Sequence, residues 1–463
     1  MEVVRLVEEK VLSVTAKVLE MIEGEISYQS FETGLKKELD GLGCEILKLV
    51  LEELDQELLK SAERKKEWVV ERKGDGKAIL TPFGTVSYVR TYYQHKESKK
   101  YRYLVDQKAG IETHSRVSEN LKAELVDASA VMSYENATVE LSRFNSVLKL
   151  SRQTVSSCIK GFSIKEAPEP EKKRKISVLY IEADEDHIKI RGHKKKSIAK
   201  LVYLHEGVTG SKRRHLKNAK YFTTAQKSSD ELWYEIAAHI AKHYDLEALE
   251  TIYLCADGGK WIKVGLEYLY DAIFVLDKFH MHNSIKVATE HAKELRKAIY
   301  RGIYKLDQEK VLQNLRKAFD QAEEPARKER ILNTTKYIKN NWAGIEAQVK
   351  HPEVGCSAEG HVSHILSARM SSRPMAWSSA GAEGMVQIRA VKANGEKVKD
   401  HYLARRKEAP VIVELKQAVK KEINRLRNKK MLGRESLHNV PLFNGASNLT
   451  RSALKGLNER MVI

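Results

Sequence analysis

The 463-residue sequence predicts a mixed α/β protein, and three observations carry that expectation. Apolar residues recur at helical spacing through residues 1 to 60 and again through 116 to 162. Three β-rich runs then follow one another between 176 and 205, after which helices and strands alternate as far as residue 276. A charged, wholly helical stretch occupies 284 to 350. A strand meander followed by alternating helices and strands is the order a ribonuclease H-like α/β domain requires, here with an all-helical insertion and a mainly helical N-terminal region containing a small β-sheet. A doubly wound parallel sheet is the alternative topology. The early hairpins and the lack of a GxGxxG turn weigh against it.

Composition narrows the function classes. Hydrophobic residues make up 42% and charged residues 31%, which fits two or three folded domains without repeats or low-complexity tails. The formal net charge of +18 and the pI near 9.4 suggest a polyanionic partner, most simply nucleic-acid phosphate. "MEVVRLVEEKVLSV" keeps glutamates within its apolar register, so it reads as an amphipathic helix and not a signal peptide. No uncharged run approaches the roughly 20 residues needed to cross a bilayer, which argues against a membrane role. Cys44, Cys158, Cys255 and Cys356 form no CxxC pair, so neither a zinc module nor a disulfide framework is expected. The natural compartment is a reducing cytoplasm, in association with nucleoid DNA.

Each element has its own signal. In residues 1 to 112, Leu35, Leu39, Leu42, Ile46, Leu47, Val50, Leu51, Leu54 and Leu58 mark the second of two helices, a packing stripe. "KAILTPFGTVSYVRTYY" at 77 to 93 then turns at Pro82-Phe83-Gly84 and, with "YRYLV" at 101 to 105, predicts a small antiparallel sheet. Region 113 to 162 reads as helix-turn-helix. Ser133 caps the first helix, 145 to 150 make the turn, and Ser151 caps a second helix exposing Arg152, Gln153, Ser156 and Lys160 toward DNA; an ordinary helical hairpin is the competing reading. Two prolines and dense charge make 163 to 175 a linker. The first part of the core, 176 to 283, has strands expected at 176 to 183, 187 to 191, 199 to 205, 251 to 256 and 272 to 276, with a helix at 230 to 243. After the insertion at 284 to 350, residues 351 to 400 supply the core's final helices, and 401 to 463 a basic helical region with an exposed helix at 411 to 430.

Acids at strand ends are the chemical signal, because sites in α/β sheets form at the carboxyl edge of the strands. Asp184 is expected to close or interrupt the first strand, Asp257 follows "TIYLCA" and Asp277 follows "AIFVL". Glu182 and Asp186 share Asp184's strand face, so spacing alone does not choose among them. A third acid must come from a later helix, and Glu359, opening "AEGHVSHILSARM", is the best placed. Carboxylates without thiols or a histidine cluster favour two hard cations, Mg2+ or Mn2+, roughly 4 Å apart. Acid in a basic protein then marks where metal mediates between carboxylates and DNA phosphates. The lysines around it, "KKRK" at 172 to 175, Lys194, Lys195 and Lys196, and Arg213 and Arg214 in "KRR", would hold the DNA backbone.

Four stretches, "YIEADEDHIKIRGHKK", "LCADGGKWIK", "FVLDKFHMHNSI" and "AEGHVSHILSARMSSRPMAWSSAGAEGM", resemble bacterial insertion-sequence transposases of the Mutator-like type, most closely the ISLre family. The likeness extends upstream through "TPFGTVSYVRTYY" and "SYENATVELSRF". It implies a DDE site in which Asp184, Asp257 and Glu359 are the catalytic, metal-holding carboxylates, with Asp277 and His280 of the Asp-x-x-His pattern beside them. One departure is that Cys356 stands where the group often has asparagine, which leaves Glu383 as a competing third acid. The resemblance further implies that Trp342 stacks on an unpaired base, while Lys260 and Arg369 are candidate phosphate contacts. The expected activity is metal-dependent strand cleavage and strand transfer on double-stranded DNA, at terminal inverted repeats and target, by a homodimer or higher oligomer. A catalytically inactive DNA-binding regulator derived from a transposase is the alternative. A ribonuclease H-type nuclease or junction resolvase would share the acids but has no use for the large insertion.

Overall fold

The computed structural model describes residues 2–143, 150–165, 168–210, 215–269 and 271–404. They form two compact units: one up to Gly161 together with Val398–Leu403, the other over Phe162–Lys397.

In the first unit, α1 (Glu2–Ile22) leads to α2 (Tyr28–Lys60), whose Ser27 cap accepts the Ser30 N–H at 3.2 Å. A short α3 (Ala62–Glu67) precedes the antiparallel hairpin β1 (Trp68–Thr81) and β2 (Gly84–His95), to which β3 (Tyr101–Arg102) adds a third strand. The hairpin starts nine residues earlier than the sequence suggested, because the charged run after Val70 hid its outer half. Cys44, Leu47, Leu51, Leu54 and Leu58 of α2 pack on Ile79, Val86 and Tyr88 and on Val105 of α4 (Leu104–Lys108). The stripe is packing, as expected, but much of it serves the sheet. Glu52 and Asp55 of α2 also accept the Val89 and Thr91 N–H groups at 3.0 and 3.1 Å, which satisfies a strand edge that would otherwise invite pairing.

Three helices follow: α5 (Glu119–Ser129), α6 (Tyr134–Arg143) and α7 (Arg152–Lys160). Both predicted caps are made, Asn136 N–H to Ser133 Oγ and Thr154 N–H to Ser151 Oγ, each at 3.1 Å. Most of the expected turn, 145 to 150, lies outside the described residues.

The second unit is built on a five-stranded sheet. Its strands are β4 (Val178–Ile188), β5 (Ser197–His205), β8 (Lys220–Thr224), β9 (Thr251–Ala256) and β10 (Ile273–Leu276), with the small pair β6 (Val208–Thr209) and β7 (His215–Leu216) beside them. Sheet order is β10-β9-β4-β5-β8; β5 runs antiparallel to β4 and β8, whereas β9 is parallel to β4 and β10 to β9. Two expectations need correction. The strands placed at 176 to 183 and 187 to 191 are one, because the acids at 182, 184 and 186 keep the period-two alternation and let β4 run on to Ile188; the meander's third strand is 220 to 224.

Between β8 and β9, α8 (Ser229–His243) begins at a Ser228–Glu231 capping box and packs Leu232, Trp233, Ile236 and Ile240 against Leu179, Ile181, Ala183, Leu254 and Ala256 on one sheet face. Two single turns, α9 (Lys260–Lys263) and α10 (Gly265–Tyr268), link β9 to β10. Next, α11 (Lys278–Ala288) runs across the expected boundary at 283/284 into α12 (Lys293–Tyr304), α13 (Gln308–Asp320), α14 (Pro325–Asn340) and α15 (Trp342–Lys350). These close their own core around Ile299, Val311, Leu315, Ile331, Ile338 and Ile345. The chain returns to the sheet as α16 (Ala358–Val362), a π-helical turn at Ser363–Ser367, α17 (Ala368–Met370) and α18 (Ser379–Ala393); α19 (Val398–Ala404) closes the described chain.

Candidate active site

Parallel register aligns three acids. Ala256 of β9 pairs with Ala183 on one side and with Leu276 on the other, so the residues that come next are Asp257, Asp184 and Asp277. Alternation puts all three on the face opposite α8, continuing the rows Tyr180-Glu182, Tyr253-Cys255 and Ile273-Val275. Asp184 is therefore interior to β4, not at its end: pairing with β9 stops at Ala183 while pairing with β5 continues as Asp184↔Leu201.

Each carboxylate is held locally. Asp184 Oδ1 accepts the Glu185 N–H at 2.7 Å, and Asp257 Oδ1 accepts the Gly259 N–H at 2.9 Å. Asp277 caps α11 through the Phe279 N–H at 3.1 Å, and its Oδ2 lies 3.7 Å from His280 Nε2. Burial, with the Asp257 and Glu185 charges adding to it, pushes Asp184 up to about 6; the Glu185 N–H and His280 oppose the rise. Asp277 is likewise raised, mainly by burial and also by Glu359, so it senses the later helix. Glu359 is exposed in the first turn of α16, which packs on β4.

Neighbouring acids are bonded elsewhere, Asp186 through one oxygen only. Glu182 is buried and accepts from Tyr203 Oη at 2.7 Å, from His205 Nε2 at 3.1 Å and from the Ser357 N–H. Burial would raise it, but these hydrogen bonds outweigh burial and leave it below the usual carboxylate range. Asp186 accepts the Ser371 hydroxyl at 3.0 Å. Glu383 accepts the Ala225 N–H at 2.7 Å, the Thr224 hydroxyl and the Gln387 amide, fastening α18 to the end of β8. Of the acids left open by spacing, Asp184 is thus the one that faces Asp257.

Other candidate residues distribute unevenly. Lys194, Lys195 and Lys196 are exposed in the β4–β5 turn, and Lys260 is exposed at the start of α9. On α7, Arg152, Gln153 and Lys160 are exposed, Ser156 is half-buried, and Arg152 pairs with Glu135 at 3.3 Å. Arg369 is not on the surface as expected: it is buried, its guanidinium 5.0 Å from the centre of the Trp377 ring, whose π face offers a cation a partner away from water. Trp342 packs on the helical core and donates Nε1–H to Glu346 at 2.7 Å. Arg213, Arg214 and the helix expected at 411 to 430 lie outside the described residues.

Two polar residues near the row had no sequence signal. Asn341, between α14 and α15, abuts Gly258, and the Tyr337 hydroxyl feels the charges of Asp257 and Asp277. Only their adjacency to Trp342 in "YIKNNWAG" hinted at the place. Among the described residues, no group of three or more His, Cys, Asp or Glu side chains is arranged to hold a metal ion. The donor set itself, carboxylates without a thiolate in the row, has the chemistry of hard oxygen-seeking cations.

A model of the Uncharacterised protein family (UPF0236) matches residues 21–407. A UPF0236 protein of Caldanaerobacter subterraneus subsp. tengcongensis is 36% identical over 419 residues, covering 89% of this chain and 88% of its own. A second from that organism shares 36% over 419 residues, 89% and 87% of the two chains. A "UPF0236 protein in vanSb 3'region" of Streptococcus gallolyticus is 28% identical over 362 residues, 74% of this chain and 78% of its own.

Proposed function

The chain belongs to the UPF0236 family, and on that footing we propose that it is a DNA transposase of a bacterial insertion sequence, Mutator-like and of ISLre type. The observation that carries the reading is the acidic row: Asp184 and Asp257 side by side on one sheet face, Asp277 next to them, and the helix of Glu359 packed on β4. The strand order, an antiparallel trio followed by two parallel strands, supports a ribonuclease H-like core. An insertion entered after β10 and left before α16 fits the same reading.

Asp184, Asp257 and Glu359 would hold divalent cations, Mg2+ or Mn2+. When bound, two such ions supply activation of water or a 3′-hydroxyl and stabilisation of the departing oxygen. Water attacks the phosphorus at the element's end, the P–O3′ bond breaks and a 3′-hydroxyl is released. That hydroxyl attacks a target phosphodiester in line, forming a new P–O bond and freeing a target 3′-hydroxyl. Lys194, Lys195, Lys196 and Lys260, all exposed, are suited to phosphate contact, and the exposed face of α7 to the terminal repeats. Two ends to be joined imply at least a dimer.

The test is cleavage and strand transfer on a labelled duplex carrying the terminal repeat, with Mg2+ or Mn2+. Wild type is expected to nick at the repeat end, and Asp184→Asn, Asp257→Asn and Glu359→Gln to lose at least about a thousandfold of that rate while still binding DNA. Binding without cleavage by wild type would instead establish the inactive-regulator reading.

A further inference from the structure

Asn341 is 4% exposed, and its Oδ1 has no hydrogen-bond partner among the described residues. Its orientation is fixed, because Nδ2 donates to the Tyr337 carbonyl at 2.9 Å; turning the amide over would set oxygen against oxygen. The free oxygen therefore points toward the turn that carries Asp257. A Cβ built at Gly258 would lie 2.8 Å from Asn341 Cγ and closer still to Oδ1. Lys263 Nζ, donating to the Asn340 carbonyl at 2.8 Å, fastens the same helix end to the same turn.

Tyr337 lies one helical turn back. Its hydroxyl is buried and also without a partner among the described residues, and Asp257 and Asp277 both bear on it electrostatically. A buried amide oxygen and a buried phenol left unpaired together are costly, and such groups are rare in native proteins unless an ordered water or a ligand answers them. The Asn341 oxygen is an acceptor against Gly258, the residue that follows the Asp257 carboxylate, itself only an acceptor. What reconciles two acceptors at close quarters is positive charge, and a neutral amide oxygen joined to carboxylates is a ligand set for a hard divalent cation.

We infer that the helical insertion completes the acidic row: Asn341 ligates, through its carboxamide oxygen, the divalent cation that Asp257 would hold. The inference rests on the reading of the row as a cation-dependent site and adds one residue to it from outside the sheet. Gly258 has a second reason to be glycine on this view, since a side chain there would part the amide oxygen from the carboxylate.

The experiment is a titration of the full-length protein with Mn2+ alone, without DNA, in which the electron paramagnetic resonance signal of free Mn2+ reports the bound fraction. Asn341→Ala is expected to weaken binding about tenfold. Asn341→Asp, which keeps an oxygen in place, is expected to bind at least as tightly as wild type, and Lys339→Ala, exposed on the same helix, to match it. If Asp257→Asn weakens Mn2+ binding while Asn341→Ala leaves it unchanged, the inference is overturned and the acidic row stands. If wild type binds no Mn2+, or Asp257→Asn changes nothing, the cation-dependent reading falls and this one with it. Asn341→Leu, close to asparagine in size and without the oxygen, decides the matter should Asn341→Ala fail to fold.

Discussion

Gly258 shows how a single residue is dictated by its surroundings. Its φ of +91° is in the region that favours glycine, and the Asn341 carboxamide fills the space a Cβ would need. Gly258→Ala is expected to lower stability by about 2 to 4 kcal/mol, read from the midpoint of chemical denaturation; an unshifted midpoint would refute the close packing described. His239 makes the second residue-scale case. It stacks on His243 at 3.9 Å between ring centres, and burial, joined by the charges of His243, Lys220, Lys242 and Arg174, lowers it to about 3. A neutral folded histidine that would titrate near 6.5 when unfolded contributes stability fully above about pH 6.5, and loses it as pH falls toward 3. Denaturation midpoints should therefore decline between pH 6.5 and 4, and His239→Gln should flatten that decline; parallel pH curves for the two proteins would count against it. At this scale the sequence was legible where chemistry repeats a pattern, as with Asp184, Asp257 and Asp277. It was silent on Asn341 and Tyr337, because a lone amide or phenol is ordinary until its missing partner is known.

Elements here are tied together by polar groups as well as by apolar faces. Glu182 on β4 holds Tyr203 and His205 of β5 and the Ser357 N–H that leads into α16, so one carboxylate joins two strands and a helix. Glu182→Ala strands those donors in a dry interior and is expected to destabilise by about 3 to 5 kcal/mol, more than Val202→Ala on the neighbouring strand; calorimetric unfolding would check the ranking. Helices with caps and strands bounded by turns were readable in advance, as Ser133, Ser151 and the run 251 to 256 illustrate. Less readable were β8, only five residues long, and the outer part of β1, where charge masks an exposed ribbon. The π turn after Glu359 had no signal either. It depends on Arg389 of α18, whose Nε donates to the Ile365 carbonyl at 2.7 Å, a partner 24 residues away.

At the scale of the whole molecule, charge and topology do most of the explaining. A formal +18 spread over exposed lysines and arginines should make DNA affinity fall by on the order of a thousandfold between 50 and 200 mM salt, as counterions released on binding lose their entropic advantage. Filter binding across that range would measure the slope, and a salt-independent affinity would remove nucleic acid from the account. No described helix is long and apolar enough to cross a membrane. The two compact units divide between Gly161 and Phe162, next to the charged, proline-containing run at 163 to 175 that reads as a linker.

The bond between Ser357 and Glu182 spans 175 residues of sequence. A ribosome adding residues at a rate of about 5 to 20 per second needs roughly ten to thirty-five seconds to travel from one to the other. Throughout that interval β4 is already made, yet the helix bearing Glu359 does not exist. A chain terminated between residues 257 and 357 therefore carries Asp184 and Asp257 but lacks the Ser357 N–H that answers the buried Glu182.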